Sequence, residues 1–363
     1  MYLILHAFSR RNEGDGLLVD LALEALETAG VERRDCIVLA LDPESFADLS
    51  HAERAPGEPR SVPSWKLAGA AGELGAAIMG GGHVASLARR AKGLVAVGGG
   101  YLVADSPVRQ AGVLLNHYAQ LRAAARSPAP SIYLPQSIGP LGTPIGPIVR
   151  RELTRLDRVY VRDDQTLDQL RMPNVRRCAD LAVMKLARSL PKRGVETSSG
   201  PPVIVARGLP SASDYQQRLL QLRDSIRQPL WAVQADVPGP RSDRSFYNRL
   251  GISDVGPLSS VLRTSPPPVV VSVRLHGAIG ALLAGVPAIH LAYERKGWGA
   301  YEDLGLNEYV HDARTFDPVL VARQVEQLER DPCRMWTLLE SSQDKLKGQY
   351  KSLVEELRSI LRL

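Results

Sequence analysis

Aromatic residues make up only 5% of the chain, and nowhere do basic and aromatic side chains interleave in the pattern that stacks on nucleobases. Nucleic acid is therefore the first partner to be set aside among those that a net charge of +6 could attract. Cysteine is scarce: Cys36, Cys178 and Cys333 are widely scattered, which matches neither a disulfide framework nor a zinc cluster. The seven histidines are equally dispersed, no HExxH or paired His/Asp spacing occurs, and no metal is expected. No apolar run approaches the ~20 residues that cross a bilayer. The start MYLILHAFSRR lacks a basic region ahead of its short apolar stretch, so it reads as a first strand and the protein as cytoplasmic. There is no short-period repeat and no low-complexity tract.

What is present is the composition of a globular protein, 44% hydrophobic and 23% charged, at a length of 363 residues that suits two domains. The positive balance suits an anionic substrate or an anionic membrane surface. Strand-like and helix-like segments alternate: YLILHA, a helix from Leu17 to about Thr28, CIVLAL, GLVAVGGG, a helix from Val108 to Ala125, SIYLPQ, a helix from Ile148 to Leu156, RVYVR, and a short helix from Gln165 to Arg171. That alternation predicts a doubly wound α/β domain over residues 1–189. The Pro-, Gly- and Ser-bearing stretch Leu190–Pro202 reads as a linker. A second α/β series follows over 203–331, and residues 332–363 form a helix with an apolar stripe at Leu346, Tyr350, Leu353, Val354, Leu357, Ile360 and Leu361. Packing across the domains is the plain reading of that stripe, and a membrane-surface helix the alternative. The expected architecture is two Rossmann-like domains facing a cleft.

Candidate ligand-binding residues fall where strands end. RRNEGDGLL places Asn12 and Asp15 in the turn after the first strand, where Asp15 could equally be a helix N-cap. VAVGGGYLV puts Gly98, Gly99 and Gly100 after another strand, allowing close backbone approach, although it is neither GxGxxG nor a Walker A sequence. YLPQSIGPL ends a strand with Gln136 and Ser137. YVRDDQTLDQL ends one with Arg162 and Asp163, which could instead brace the loop as an ion pair or cap the following helix. In the second half VIVARG ends a strand with Arg207. The stretch VVVSVRLHGAIG carries Arg274 and His276 off the end of an apolar run. Extended backbone through Arg274–His276 would place both side chains on one side, ahead of a helix beginning at Gly277 and Ala278 whose N-terminus favours an anion. Lys296, past the next strand, would project over the same rim.

Taken in order, NEGDGLL, VGGGYL, LPQSIGPL, VRDDQT, CADLAV and VRLHGAIGALLAGVPAIHLAYERKGWG resemble the polysaccharide pyruvyl transferase family over most of the chain. The resemblance implies a GT-B-like pair of Rossmann-type domains. It also implies transfer of pyruvate from phosphoenolpyruvate to a sugar of a cell-surface or exopolysaccharide precursor, closing a ketal and releasing phosphate. By that resemblance Arg274, His276 and Lys296 match the motif of the second domain, the phosphoenolpyruvate side. Asn12, Asp15, Gln136, Arg162 and Asp163 match polar positions in the first, the acceptor side, where the Gly98–Gly100 loop and Gln136 would line the cleft. Thr166 stands where a serine is usual, and the segment from Pro210 to about Leu262 matches little. His276 would be the general acid/base, with Arg274, Lys296 and Arg207 holding the anion. No cofactor beyond phosphoenolpyruvate as co-substrate is expected. A lipid-linked acceptor, and peripheral contact with the inner membrane surface, fit the same reading. The alternatives are a GT-B glycosyltransferase using a nucleotide sugar, and a non-catalytic sugar-binding protein.

Overall fold

Short apolar runs, rich in Val, Ile, Leu and Ala, form strands that are buried along almost their whole length, as parallel strands covered on both faces must be. The computed structural model describes residues 1–56, 72, 74–190, 200–209, 214–237, 242–253 and 255–363. Residues 191–199 of the expected linker, and Pro210, lie outside them.

By its contacts the chain divides into two units, one of Met1–Arg10, Asp15–Leu181 and Gln349–Leu363, the other of Arg11–Gly14 and Ala182–Gly348. In the first, the described strands are β1 (Tyr2–Ala7), β2 (Cys36–Ala40), β3 (Ala52–Arg54), β4 (Gly93–Ala96), β5 (Leu102–Ala104), β6 (Ser131–Gln136), β7 (Ile138–Leu141), β8 (Arg158–Val161) and β9 (Val175–Arg177). Seven of them form a parallel sheet in the order β3-β2-β1-β4-β6-β8-β9, and β5 pairs separately with β7. The second unit holds β10 (Val203–Val205), β11 (Leu230–Val233), β12 (Gly256–Pro257), β13 (Val270–Ser272), β14 (Ala288–Ala292) and β15 (Val310–Asp312), parallel in the order β12-β11-β10-β13-β14-β15.

Each sheet reverses its winding beside its first strand, between β1 and β4 in one and between β10 and β13 in the other. In open α/β sheets ligands bind outside the carboxyl ends of the strands at such a switch. At those ends lie His6, next to last in β1, and the Gly98–Tyr101 segment in the first unit, and Arg207 and Arg274 in the second.

Helices lie near where the periodicity predicts them; the one expected from Ile148 to Leu156 is found at Ile145–Leu153, and three others differ as follows. The first helix spans Glu13–Ala29, four residues earlier than Leu17. The segment read as one helix from Val108 to Ala125 is Pro107–Val113, a π-helical turn over Leu114–Tyr118, and Ala119–Arg126. The helix after β13 begins at Leu275, so the extended course through Arg274–His276 and the start at Gly277 are both corrected. Ser272 is the reason: its hydroxyl donates to Arg274 O (2.8 Å) and accepts from Arg274 N (3.1 Å), turning the backbone before the apolar run is finished.

The last helix, Cys333–Leu361, buries its stripe residues Leu346, Tyr350, Leu353, Val354, Leu357 and Leu361, so that face is not presented to a membrane surface. In the first unit its Arg358 donates to Thr28 O (2.6 Å) and Ala29 O (3.2 Å), while in the second its Gln343 donates to Ala187 O (2.8 Å). Among the described residues no helix is long and apolar enough to cross a membrane.

Candidate active site

Because β10 and β13 pair with Val205 opposite Ser272, and β13 and β14 with Ser272 opposite His290, the three strands end side by side. Arg207, Arg274, His276 and Lys296 therefore gather at one edge of the second sheet. Arg274 occupies the N-cap position of the Leu275–Leu283 helix, His276 its first turn, and Lys296 the first turn of the Arg295–Asp303 helix.

Each cation is held. Arg274 donates through Nε (3.0 Å) and Nη2 to Asp243 Oδ1, a fully buried carboxylate whose Oδ2 accepts from Gln234 N (3.1 Å) and Ala235 N (2.9 Å). Lys296 pairs with Glu294 at 2.7 Å. Arg207 donates Nη1 to the Tyr293 hydroxyl (2.6 Å) and lies over that ring at 5.1 Å, a cation–π contact; its Nε is buried with no hydrogen-bond partner among the described residues. His276 is half-buried against the Arg11–Gly14 turn, which belongs to the same unit. A Cβ on Gly14 would stand 2.8 Å from His276 Cβ and 2.9 Å from its Nδ1, so only glycine allows that approach. Asn12 bridges Ala235 in this turn, and Glu13 N donates to Gln234 O (3.1 Å). Glu13 also accepts from Ser259, and burial pushes its carboxyl pKa up.

Behind the rim His290 is buried, its Nδ1 2.8 Å from Ser272 O. The partner is a carbonyl, so Nδ1 carries the proton. Burial pushes the pKa of His290 down to about 4, with smaller contributions the same way from Lys296 and His276.

In the first unit the polar residues at strand ends brace the glycine loop. Arg162 is 2% exposed and donates to Asp180 Oδ2 (2.5 Å), Ser137 Oγ (3.2 Å) and Gly99 O (2.9 Å). Its ionic partner is Asp180 of the CADLAV motif, which corrects the pairing with Asp163. Asp163 is an N-cap, its Oδ1 accepting from Thr166 N and Oγ, each at 2.8 Å. Asp15 lies inside the first helical turn and is not the N-cap that the sequence suggested. A Cβ on Gly98 would approach Pro135 O to 2.6 Å, so this glycine permits the loop to pass the end of β6. Gly100 is exposed and Gln136 fully buried.

The groups that sequence reasoning missed are those contributed across the fold. Asp243 and Gln234 sit in the segment with little recognisable pattern, and His6, Tyr101, His117 and Tyr133 gather at the carboxyl edge of the first sheet. For Asp180 a signal existed in CADLAV. Tyr101 and Tyr133 likewise stood inside VGGGYL and YLPQSIGPL, whereas Asp243, Gln234, His6 and His117 had no signal, because their partners are distant in sequence.

Two parallel α/β sheets of this order define a GT-B-like protein, and solved structures share the arrangement. The chain is similar to the UDP-GlcNAc 2-epimerase from Neisseria meningitidis bound to UDP-GlcNAc, at 12% identity over 99% of this chain and 100% of that one, with a TM-score of 0.55. It is also similar to Alr3699/HepE of Anabaena in complex with UDP and glucose, at 14% identity over 99% of each chain and a TM-score of 0.52. At such identities the likeness concerns the fold alone. The model of the polysaccharide pyruvyl transferase family matches residues 12–295, and the chain belongs to that family. No curated protein matches it.

Proposed function

We propose that this protein transfers the pyruvyl carbons of phosphoenolpyruvate to a sugar of a cell-envelope or exopolysaccharide precursor, forming a pyruvate ketal and releasing phosphate. The observation that carries the reading is the convergence of Arg207, Arg274, His276 and Lys296 on the carboxyl edge of β10, β13 and β14, at a topological switch. Phosphoenolpyruvate is a small dianionic or trianionic ligand with a carboxylate and a phosphate. Arginine forks suit its planar ends and a lysine adds a point charge.

In this scheme His276 delivers a proton to the vinyl carbon of phosphoenolpyruvate as one sugar hydroxyl attacks the adjacent carbon, and it recovers a proton from the attacking hydroxyl. The second hydroxyl then displaces phosphate and closes the ketal. Of the two hydroxyl protons lost, one ends on the new methyl group and one on phosphate, so the step balances without an oxidant or reductant. The cationic side chains stabilise the departing phosphate. No further cofactor enters the scheme. The carboxyl edge of the first sheet holds the acceptor, behind the glycine loop that Arg162 braces.

The test is phosphate release from phosphoenolpyruvate with a panel of lipid-linked and soluble glycans, each examined for the mass gain of one pyruvate ketal. Nucleotide sugars are run in parallel. Sugar transfer from a nucleotide donor, with phosphoenolpyruvate inert, would replace the reading with glycosyl transfer.

A further inference from the structure

Ketal formation moves two hydroxyl protons, and His276 accounts for the one that ends on the methyl group. The other leaves with phosphate, so a second proton donor belongs at the phosphate end of the site. Tyr293, the first residue beyond β14, stands in that place. It is half-buried, and in the order β10-β13-β14 it lies across β13 from Arg207. Neighbouring strands are ~4.8 Å apart. The 2.6 Å hydrogen bond between Arg207 and Tyr293 therefore spans the carboxyl end of β13, where Arg274 departs.

Chemistry fixes the direction of that bond. A guanidinium has donors only, so Arg207 Nη1 gives its proton to the phenol oxygen and the phenol O–H points elsewhere. Among the described residues that O–H meets no acceptor, and the buried Nε–H of Arg207 meets none either. Open donors at a site this enclosed are costly, and an anionic oxygen satisfies them. Tyr215, Tyr247 and Tyr301 of the same unit differ: each donates its hydroxyl to a backbone carbonyl, Arg207 O (2.9 Å), Ala232 O (2.8 Å) and Ala288 O (3.0 Å) respectively.

Tyr293 is also held in place. Arg314 Nη1 donates to its backbone carbonyl (3.1 Å), and Arg207 Cζ lies 5.1 Å from its ring centroid. The bond from Tyr215 anchors the backbone of Arg207 in turn. A ring fixed in this way, with its hydroxyl proton uncommitted, meets the geometric requirement for a general acid.

We propose that Tyr293 is a further catalytic residue, whose hydroxyl donates to the oxygen bridging carbon and phosphorus in phosphoenolpyruvate and protonates it as phosphate departs. After the first sugar hydroxyl has added, the C–O bond to phosphate breaks, its electron pair stays on that oxygen, and the Tyr293 proton follows. The second sugar hydroxyl bonds to the same carbon, and its proton restores the phenol. No further reactant is needed for the balance. Arg207 faces the phenolate between the two events and stabilises its charge. This role rests on the pyruvyl-transfer reading and adds the group that releases phosphate.

The experiment uses the full chain carrying Tyr293→3-fluorotyrosine, introduced by codon reassignment, with phosphoenolpyruvate and inorganic phosphate as probes. Each should shift the fluorine resonance, while the phosphorus resonance of phosphoenolpyruvate reports binding independently; this arm needs no acceptor. Tyr293→Phe keeps the ring beneath Arg207. With an acceptor from the glycan panel it should lower kcat for phosphate release about a hundredfold or more, with phosphoenolpyruvate affinity within about threefold. Quenched mixtures of that variant should hold an adduct of acceptor with intact phosphoenolpyruvate, seen by mass, because addition proceeds while phosphate departure stalls. Raised KM and lowered Tm with kcat kept would make Tyr293 a brace for Arg207 and overturn the proposal. So would a fluorine resonance that bound phosphoenolpyruvate leaves unmoved, and in both cases pyruvyl transfer stands. A phosphorus resonance unmoved by the native chain removes the pyruvyl-transfer reading itself, and the role of Tyr293 with it.

Discussion

Asp243→Asn should destabilise the second unit far more than an isosteric change at a surface carboxylate. In the native protein Asp243 is fully buried, with Oδ2 accepting from Gln234 N and Ala235 N and Oδ1 from Nε and Nη2 of Arg274. An asparagine offers one acceptor oxygen and one donor nitrogen to these four donors. With its oxygen toward the backbone, a buried guanidinium faces an NH₂ group, which costs about 3–5 kcal/mol by the measure of broken buried ion pairs. With its oxygen toward Arg274, two backbone N–H groups are orphaned at ~1–3 kcal/mol each. Either arrangement removes a large part of the ~5–15 kcal/mol that a domain has.

At ~2–4 °C per kcal/mol for a unit of this size, the expected fall in Tm is roughly 6–20 °C. Emission from Trp231, Trp298 and Trp336, all in the second unit, follows its unfolding. Adding Arg274→Met removes the orphaned cation while the asparagine oxygen stays on the two backbone donors. The double variant should therefore recover ~2 kcal/mol or more over Asp243→Asn alone, read as a higher denaturant midpoint at constant m. A single variant within 1 kcal/mol of wild type, or strict additivity in the pair, would show that Asp243 does not hold Arg274 as described.

His276→Ala should lower turnover by about 10²–10⁴ while phosphoenolpyruvate affinity stays within a few-fold, measured by phosphate release and direct titration; normal turnover would move proton transfer to another group. Gly14→Ala should cost about 1–3 kcal/mol of stability and cut turnover at least tenfold, because its Cβ would meet His276 Cβ and Gln234 Nε2 at 2.8 Å and displace the imidazole. Unchanged kinetics would count against the contact. Stability should fall on acidification: His290 (about 4) and His6 (lowered) both titrate below the unfolded value of about 6.5, so the unfolded chain binds protons that the native one refuses. From pH 6.5 to 4 His290 alone accounts for about 3 kcal/mol, and urea midpoints that stay flat over that range would refute the assignment.

The parallel strands were legible because burial on both faces forces continuous apolar runs, and YLILHA, SIYLPQ and VVVSV carry them plainly. Where the backbone turns at their ends was not. Ser272 looked like one polar residue inside a strand, but its hydroxyl satisfies Arg274's backbone and stops the strand there. The π-helical turn is hidden in LLNHY, whose composition is that of any helix. The rim cations could be placed from local pattern because each follows a strand directly. Their counter-ions could not: Asp243 reaches Arg274 from 31 positions away, and His6 resembles a strand residue until Tyr133 and His117 are brought to it. Arg162 shows the same limit from the other side, since the neighbouring Asp163 was an available partner and the fold supplies Asp180.

Those counter-ions change the weight of each cation. Arg274 and Lys296 are paired with Asp243 and Glu294, so an incoming anion meets two nearly neutralised pairs whose forks are already oriented. Arg207, which the sequence alone ranks lowest, bonds a phenol and has no carboxylate within ion-pair distance among the described residues. Among the described residues its charge meets no carboxylate, and its Nε is a buried donor without a partner. Arg207→Met should then raise the KM for phosphoenolpyruvate about tenfold or more, equivalent to ~1.4 kcal/mol, with a smaller change in kcat. Its salt dependence should flatten, because the long-range part of the attraction belongs to that residue. If KM holds in Arg207→Met, the paired arginine and lysine must bind the anion by exchanging their carboxylates for it, and occupancy of the site would then depend on where Asp243 and Glu294 go.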